Sequence, residues 1–352
     1  MTSSFYIRPT GRIAHARAPD RCLRVGGRAE LSFAAAELVE RDASHVDRRF
    51  MTAGELLASP HAGLKPVVER LEGPRAAIAG CDFARPLIMG IVNVTPDSFS
   101  DGGKFLDAGA AISHALQLEA EGADILDIGG ESTRPGAEPI GIAEEKRRVL
   151  PVIEAVARRA RVPISIDTRN ASVMTSAADA GARLINDVSA LAHDSGSLAT
   201  VARLGLPVVL MHSLGDPRIM QNDPRYDEVV LDVYDALALR IATCEAAGIP
   251  RERLIVDPGI GFGKTLAHNL ALLGSLSIFH GLGCAVLLGA SRKSFISKLT
   301  GATANERLPG SLAAALIAAE QGANIIRVHD VAATRQALAI AAAAFAGEAG
   351  SN

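Results

Sequence analysis

The chain contains no tryptophan, and aromatic residues make up only 4% of its 352 positions. Its core must therefore be built mostly from aliphatic side chains. Cysteine is scarce too: Cys22, Cys81, Cys244 and Cys284 are widely spaced and form no C-x-x-C pair. That spacing speaks against a zinc or dithiol redox site and fits reduced thiols in a cytoplasmic protein. No apolar run approaches the roughly 20 residues needed to span a bilayer, so no membrane partner is expected. The N-terminal stretch lacks the apolar core of a secretory signal. It is rich in arginine (Arg8, Arg12, Arg17, Arg21, Arg24, Arg28), but few serines and no clear amphipathic helix accompany them, which sets an organelle transit peptide aside. Charge of one sign is also missing. A net charge of −3 leaves no electrostatic footprint for nucleic acid, so any bound anion must be caught by a local cluster of basic residues.

What is present is a rhythm. Hydrophobic residues are 48% of the chain, and from about residue 86 they fall into short continuous runs rich in Ile, Val and Leu. The pattern predicts strands at 87–92, 124–128, 163–166, 184–185, 207–211, 254–256, 285–288 and 324–328. Alanine-rich segments with helical spacing lie at 108–121, 143–159, 172–180, 195–204, 229–247, 266–274, 306–321 and 332–345. Continuous apolar runs suit parallel strands buried on both faces. About eight strand–helix units in roughly 260 residues match an α/β fold of the (β/α)₈ TIM-barrel type. A doubly wound open sheet would need a glycine-rich phosphate turn after its first strand, and Asn93-Val94-Thr95-Pro96-Asp97 stands there instead. Residues 1–75 break the rhythm and read as an N-terminal extension of unknown role, with 76–352 as the barrel. Short helices are expected at 50–57 and 64–71. A hairpin near 76–86 is expected to plug the barrel floor.

Barrel enzymes place their chemistry at the C-terminal ends of the strands. Here those ends read Asn93; Asp127 followed by Gly129-Gly130-Glu131-Ser132-Thr133-Arg134-Pro135-Gly136; Asp167-Thr168-Arg169; Asn186-Asp187; Met211-His212-Ser213; Asp257-Pro258-Gly259; Ser291-Arg292-Lys293-Ser294; and Arg327 with His329. Each has a plain alternative taken alone. Asp187 suits a helix cap, Asp127 a structural acid paired with an arginine, His212 a satisfied core histidine, Arg169 a solvated loop charge, and Met211 and Phe262 ordinary core packing. Eight coincidences at one end point to a site.

Asp167, Asn186 and Asp257 can hold a flat, nitrogen-rich heterocycle, because carboxylates accept from ring N–H and amino groups while the amide does both. Lys293 adds a donor, and Met211 and Phe262 supply apolar faces. Arg327, His329, Asn93 and Arg134 form an anion pocket suited to phosphates. Asn93 with Asp97 or Asp101 is a candidate Mg²⁺ ligand set, since magnesium takes a few oxygen ligands plus phosphate and water; the local alternative is a pair of tight turns. Gly261-Phe262-Gly263-Lys264-Thr265 resembles the end of a P-loop, but Pro258 occupies the position of that motif's first glycine. It reads as a flexible loop.

These residues resemble dihydropteroate synthase, the folate-pathway family that sulfonamides inhibit. The blocks that carry the likeness are Met89 to Gly103, Gly130 to Gly136, Ser165-Ile166-Asp167-Thr168, Ile185-Asn186-Asp187-Val188, Asp257 to Lys264, Gly289 to Phe295 and Arg327-Val328-His329-Asp330. The resemblance implies a transferase that joins 6-hydroxymethyl-7,8-dihydropterin diphosphate to p-aminobenzoate, releasing pyrophosphate and forming 7,8-dihydropteroate. It implies pterin binding by Asp167, Asn186, Asp257 and Lys293 between Met211 and Phe262. It implies diphosphate and Mg²⁺ near Asn93, Arg327 and His329. Loops carrying Phe99, Asp101, Thr133, Arg134 and Pro135 would close over the site and build the p-aminobenzoate pocket, with Ser294 beside its carboxylate. Asp167, Lys293, Asp101, Arg327 and His329 are the residues expected to act in catalysis, and a homodimer is the expected assembly. Two rivals share parts of this pattern: a methyltransferase barrel that binds folate, and a catalytically silent pterin-binding paralogue. A Schiff-base aldolase using Lys293 is a weaker third.

Overall fold

The N-terminal segment, in which no strand pattern is visible, folds as an antiparallel sheet. The computed structural model describes residues 4–13, 21–28, 30–43, 45–94, 104–131, 140–215, 220 and 223–346. The sheet is made by β1 (Ser4–Ile13), β2 (Leu23–Arg24), β3 (Ser32–Arg41) and β4 (Val46–Thr52). β3 lies in the middle, with β1 along one side and β2 and β4 along the other. Both long strands are disguised in the sequence. β3 contains Ala34-Ala35-Ala36-Glu37-Leu38, a run of good helix formers whose preference is overridden by pairing and burial. β1 contains Pro9, which is tolerated because β1 is an edge strand with one side free of ladder bonds.

Two short helices follow, α1 (Ala53–Leu57) and α2 (Lys65–Glu72), near the expected positions. Residues 50–52 finish β4 instead of starting α1. Thr52 marks the switch: its side chain accepts from the Glu55 backbone N–H while the Glu55 carboxylate accepts from that of Thr52.

The remainder is the expected barrel. β5 (Leu87–Asn93), β6 (Ile125–Gly129), β7 (Ile164–Asp167), β8 (Leu184–Asp187), β9 (Val208–Met211), β10 (Leu254–Asp257), β11 (Ala285–Leu288) and β12 (Ile325–Val328) are parallel, and β12 pairs back onto β5 to close the ring. Around it stand α3 (Lys104–Ala120), α4 (Ile142–Ala157), α5 (Ala171–Ala180), α6 (Ser197–Leu204), α7 (Val229–Ala246), α8 (Leu266–Gly274), α9 (Ser294–Thr300), α10 (Leu308–Glu320) and α11 (Val331–Ala346). Among the described α-helices of the barrel, only α9, a seven-residue helix directly after Lys293, has no counterpart in the expected elements.

The floor is closed as anticipated. Ile78 and Cys81 exchange both backbone hydrogen bonds at 2.9 Å, and Ile78 and Phe83 pack with Leu87, Met89, Ile125, Val209, Ile255, Leu287 and Ile325. The lower ring is therefore filled with side chains, which leaves the opposite rim for polar groups.

The N-terminal sheet is not a loose tail. Ile7, Leu23, Leu31, Phe33, Leu38, Leu56 and Leu71 give it a core of its own, while Tyr6 and Val39 join the core of the barrel. The Tyr6 hydroxyl meets both carboxylate oxygens of Asp235 on α7 at 2.9 Å. Arg41 pairs with Asp232 at 2.7 Å, and the Arg70 Nε donates to the Gly281 carbonyl at 2.8 Å.

Candidate active site at the C-terminal rim

The strand ends converge on a charged floor. Asp127 points inward from β6 and is wholly buried. Its Oδ2 receives Arg327 Nε from β12 at 2.6 Å and Asn186 Nδ2 from β8 at 3.0 Å. The second arm of Arg327 reaches β7, where Nη2 lies 2.8 Å from Asp167 Oδ2. One guanidinium thus bridges two carboxylates, and the amide commits one end to the protein. Burial works against the charge of Arg327, but Asp127 and Asp167 outweigh it and raise its pKa. Burial raises the Asp167 carboxyl to about 7, opposed by Arg327 and reinforced by Asp127.

Asp257, at the end of β10, anchors the other side. Its Oδ1 accepts from the Gly259 backbone N–H at 2.7 Å. Burial holds its carboxyl above the ordinary range, and Lys293 pulls the other way. Lys293 immediately precedes α9, and its side chain does not cap the helix. Its ammonium donates to the Ile260 carbonyl and sits 4.6 Å from the centroid of the Phe262 ring, a cation–π arrangement. Burial lowers its pKa to about 8, with Asp257 opposing.

His329 follows β12. Its Nδ1 is 3.0 Å from Ser291 Oγ, and its backbone N–H donates to the same oxygen at 3.2 Å. Asn93 ends β5 half-buried, and Met211 ends β9 fully buried. Among the described residues no three His, Cys, Asp or Glu side chains gather as a metal cluster.

Sequence comparison establishes the family. A sequence model of the pterin binding enzymes matches residues 89–329. Dihydropteroate synthase of Escherichia coli strain K12 is 50% identical over 259 residues, 74% of this chain and 92% of that protein. The chain belongs to the dihydropteroate synthase family. Solved structures agree. Dihydropteroate synthase of Xanthomonas albilineans with 4-aminobenzoic acid superposes with a TM-score of 0.72 at 51% identity, covering 76% of this chain and 96% of that one. The same organism's enzyme in complex with 7,8-dihydropteroate gives 0.69 at 48% identity, covering 76% and 97%. The family, the barrel and the transferase class expected from sequence are all borne out.

Within this dihydropteroate synthase barrel the rim brings together Asp167, Asn186, Asp257, Lys293 and Arg327 through shared bonds and mutual electrostatic influence. Phe262 and His329 adjoin them through Lys293 and Ser291. Ser294 opens α9 on the exposed side. Phe99, Asp101, Thr133, Arg134 and Pro135 lie outside the described residues, as does Asp97.

The geometry also revises local readings. Arg169 is not a solvated charge; it pairs with Glu131 through two contacts of 3.1 Å. Asp187 caps no helix; it closes the turn after β8, accepting from the Ser189 and Leu191 backbone N–H groups at 2.7 and 3.1 Å, while α6 starts only at Ser197. Arg327 belongs to the acidic floor as much as to an anion pocket. The loop after β10 is locked, not flexible, because Asn269 Oδ1 accepts from Gly261 N at 2.6 Å and Lys264 is buried beneath it. Asp127 is the arginine-paired acid that its alternative reading offers, though sequence alone assigns it no ligand-binding role; it assigns Lys264 none either. Asp127 had a signal, an acid inside an apolar strand; Lys264 had none, because its acceptors are mostly backbone carbonyls.

Proposed function

We propose that this rim carries out the family's condensation of 6-hydroxymethyl-7,8-dihydropterin diphosphate with p-aminobenzoate through a division of labour among these residues. Asp167, Asn186, Asp257 and Lys293 hold the pterin edge, and Met211 and Phe262 face its rings. Arg327, His329 and Asn93 take the diphosphate. Phe99, Asp101, Thr133, Arg134, Pro135 and Ser294 serve the p-aminobenzoate side. The carbon–oxygen bond to the diphosphate breaks first, and the electron pair leaves with pyrophosphate, whose charge Arg327 and His329 neutralise. The pterin methylene cation left behind lies near the carboxylate of Asp167. The neutral arylamine attacks it, forms the carbon–nitrogen bond and releases a proton.

The observation that carries this reading is the single guanidinium of Arg327 shared between Asp127 and Asp167 at 2.6 and 2.8 Å. It puts a phosphate-binding cation and a cation-stabilising acid side by side. Solved relatives with 4-aminobenzoic acid and with 7,8-dihydropteroate bound support the substrates. Asn93, with the acids of the following segment, has the oxygen donors to hold Mg²⁺ beside a diphosphate, and the ion would supply charge neutralisation to the leaving group. The reading extends to a cytoplasmic homodimer in which residues 1–75 are an extension and 76–352 the catalytic barrel. Among the described residues no helix is long and apolar enough to cross a membrane. Incubation with both substrates and Mg²⁺ should give 7,8-dihydropteroate and one pyrophosphate per turnover. Pterin binding without pyrophosphate release would point instead to a folate methyltransferase or a silent paralogue.

A further inference from the structure

We infer that Lys264 is a positioning residue for the pterin site, a role that rests on the functional reading above. Lys264 is 2% exposed. Its three ammonium protons face three acceptors: the Phe262 carbonyl at 2.9 Å, His212 Nδ1 at 3.0 Å and the His212 carbonyl at 3.3 Å. Every donor is matched, which is what a buried ammonium requires. When Lys264 is protonated it can only donate, so His212 Nδ1 accepts and the ring carries its proton on Nε2. Burial, with Lys264 adding to it, lowers the His212 pKa to about 3 and keeps the ring neutral.

The effect is to clamp two loops together. His212 follows β9 and Phe262 follows β10, and one side chain holds both backbones. The clamp works because glycine occupies the contact points. A Cβ on Gly259, at φ +70°, would come within 1.9 Å of the His212 carbonyl oxygen, and one on Gly263, at φ +63°, within 2.6 Å of Leu214 Cβ. Tyr226 adds a second tie, its hydroxyl donating to the Gly263 carbonyl at 2.9 Å.

The hydrogen bonds of Lys264 all go to this turn and to His212, and its charge also helps to lower the Asp257 carboxyl; its positioning effect is exerted through the turn. The clamped turn presents the Ile260 carbonyl to the Lys293 ammonium and the Phe262 ring beneath it. Gly261 leaves room for the Lys293 stem, since a Cβ there would lie 3.1 Å from Lys293 Cδ. Phe262 and Lys293 are the apolar face and the cationic donor proposed for the pterin, and both take their position from the segment Lys264 fixes. The arrangement makes the Gly261–Thr265 sequence a lysine-locked support for a heterocycle, not a phosphate cradle.

The test is steady-state kinetics and equilibrium pterin binding on Lys264→Met, which keeps the apolar stem and removes the donors, beside Lys264→Gln, which restores two. The Met variant should raise both KM and Kd for the dihydropterin diphosphate by about tenfold or more, as expected for loss of the buried hydrogen bonds that hold the turn. Its KM for p-aminobenzoate should stay within about twofold, because the clamp touches one substrate only. Gln should recover part of the pterin loss. A folded Met variant with pterin KM and Kd at the wild-type level overturns the assignment. So does an equal fall for both substrates with no recovery in Gln, which is the mark of a general structural role. If Met does not fold, a native-like Gln variant decides: a raised pterin KM supports the role, and an unchanged one ends it. A wild-type protein that binds no pterin would sink the functional reading itself, and the role of Lys264 with it.

Discussion

Arg327 and Asp167 are joined across the barrel mouth, Nη2 to Oδ2 at 2.8 Å, linking the last strand of the ring to the third. With Asp127 on the other arm of the guanidinium at 2.6 Å, the cluster holds two acids against one base. Its polarity suits a reaction that makes a cation at one atom and an anion at the next. The energetic weight of such a cluster lies in its low-dielectric setting, where removing one charge strands another.

Removing the central acids and the rim lysine should separate chemistry from folding. Asp167→Asn or Lys293→Ala is expected to abolish synthesis of 7,8-dihydropteroate while circular dichroism keeps the signature of the folded barrel. Near-normal turnover in either variant would contradict the assigned site.

Asp127 should behave differently, because it is wholly buried and carries two bonds. Asp127→Ala leaves Arg327 and Asn186 without that partner. A stability loss of about 3–5 kcal/mol is expected for breaking a buried pair from one side. Urea unfolding measures it, and a loss under about 1 kcal/mol would mean that solvent replaces the carboxylate.

The pH profile of kcat/KM for the pterin substrate should be bell-shaped. Asp167, raised to about 7, must be ionised to favour the cation, so the acid limb falls below that value. Lys293, lowered to about 8, must keep its proton to donate, so the alkaline limb falls above it. The profile of the free enzyme reports these groups, and in Asp167→Asn the pH dependence of pterin binding should lose its acid limb. A profile flat from pH 6 to 9 would remove both groups from the binding step.

Stability should follow pH through Lys264. Burial lowers its folded pKa to about 7, below the ordinary lysine value. The unfolded chain therefore binds the proton more readily, and this group's contribution is full above the ordinary value and lost as pH falls through about 7. Comparing melts of the wild type and Lys264→Met between pH 6 and 10 isolates that slope. Identical slopes would show that the lysine stays charged in the fold throughout.

Tyr6 tests whether the N-terminal sheet is structurally coupled to the barrel. Tyr6→Phe loses the bonds to Asp235, for a cost of about 1 kcal/mol, while Tyr6→Ala also empties core volume and should cost about 3–5 kcal/mol. Both should leave substrate KM values unchanged, since these contacts lie on α7 and not at the rim. A single cooperative urea transition that shifts with each variant is the expected readout. An unshifted barrel transition would mean that the two parts unfold independently.

Much of the barrel is visible in the sequence because its signals are local. The run 87–92 is apolar and continuous, as a strand covered on both faces must be, and Gly205 supplies the left-handed residue, at φ +67°, that ends α6. Strand ends then inherit the rim, so Asp167, Asn186, Asp257, Lys293 and Arg327 could be named from their places in the chain. The N-terminal sheet is hidden for the converse reason. Ser4 pairs with Arg41 and Ile13 with Ser32, and no window of either strand shows the other.

The chain's own order of residues, then, determines the ring, its floor and the chemistry offered at each strand end, because repeats of short apolar runs and helical stripes leave few other ways to bury them. Tertiary structure alone decides that Arg327 is divided between Asp127 and Asp167, that Lys264 lies under Phe262, and that a segment rich in helix formers becomes the middle strand of a sheet. Those outcomes depend on contacts between residues far apart in the chain, where burial and the matching of charges outweigh local preference.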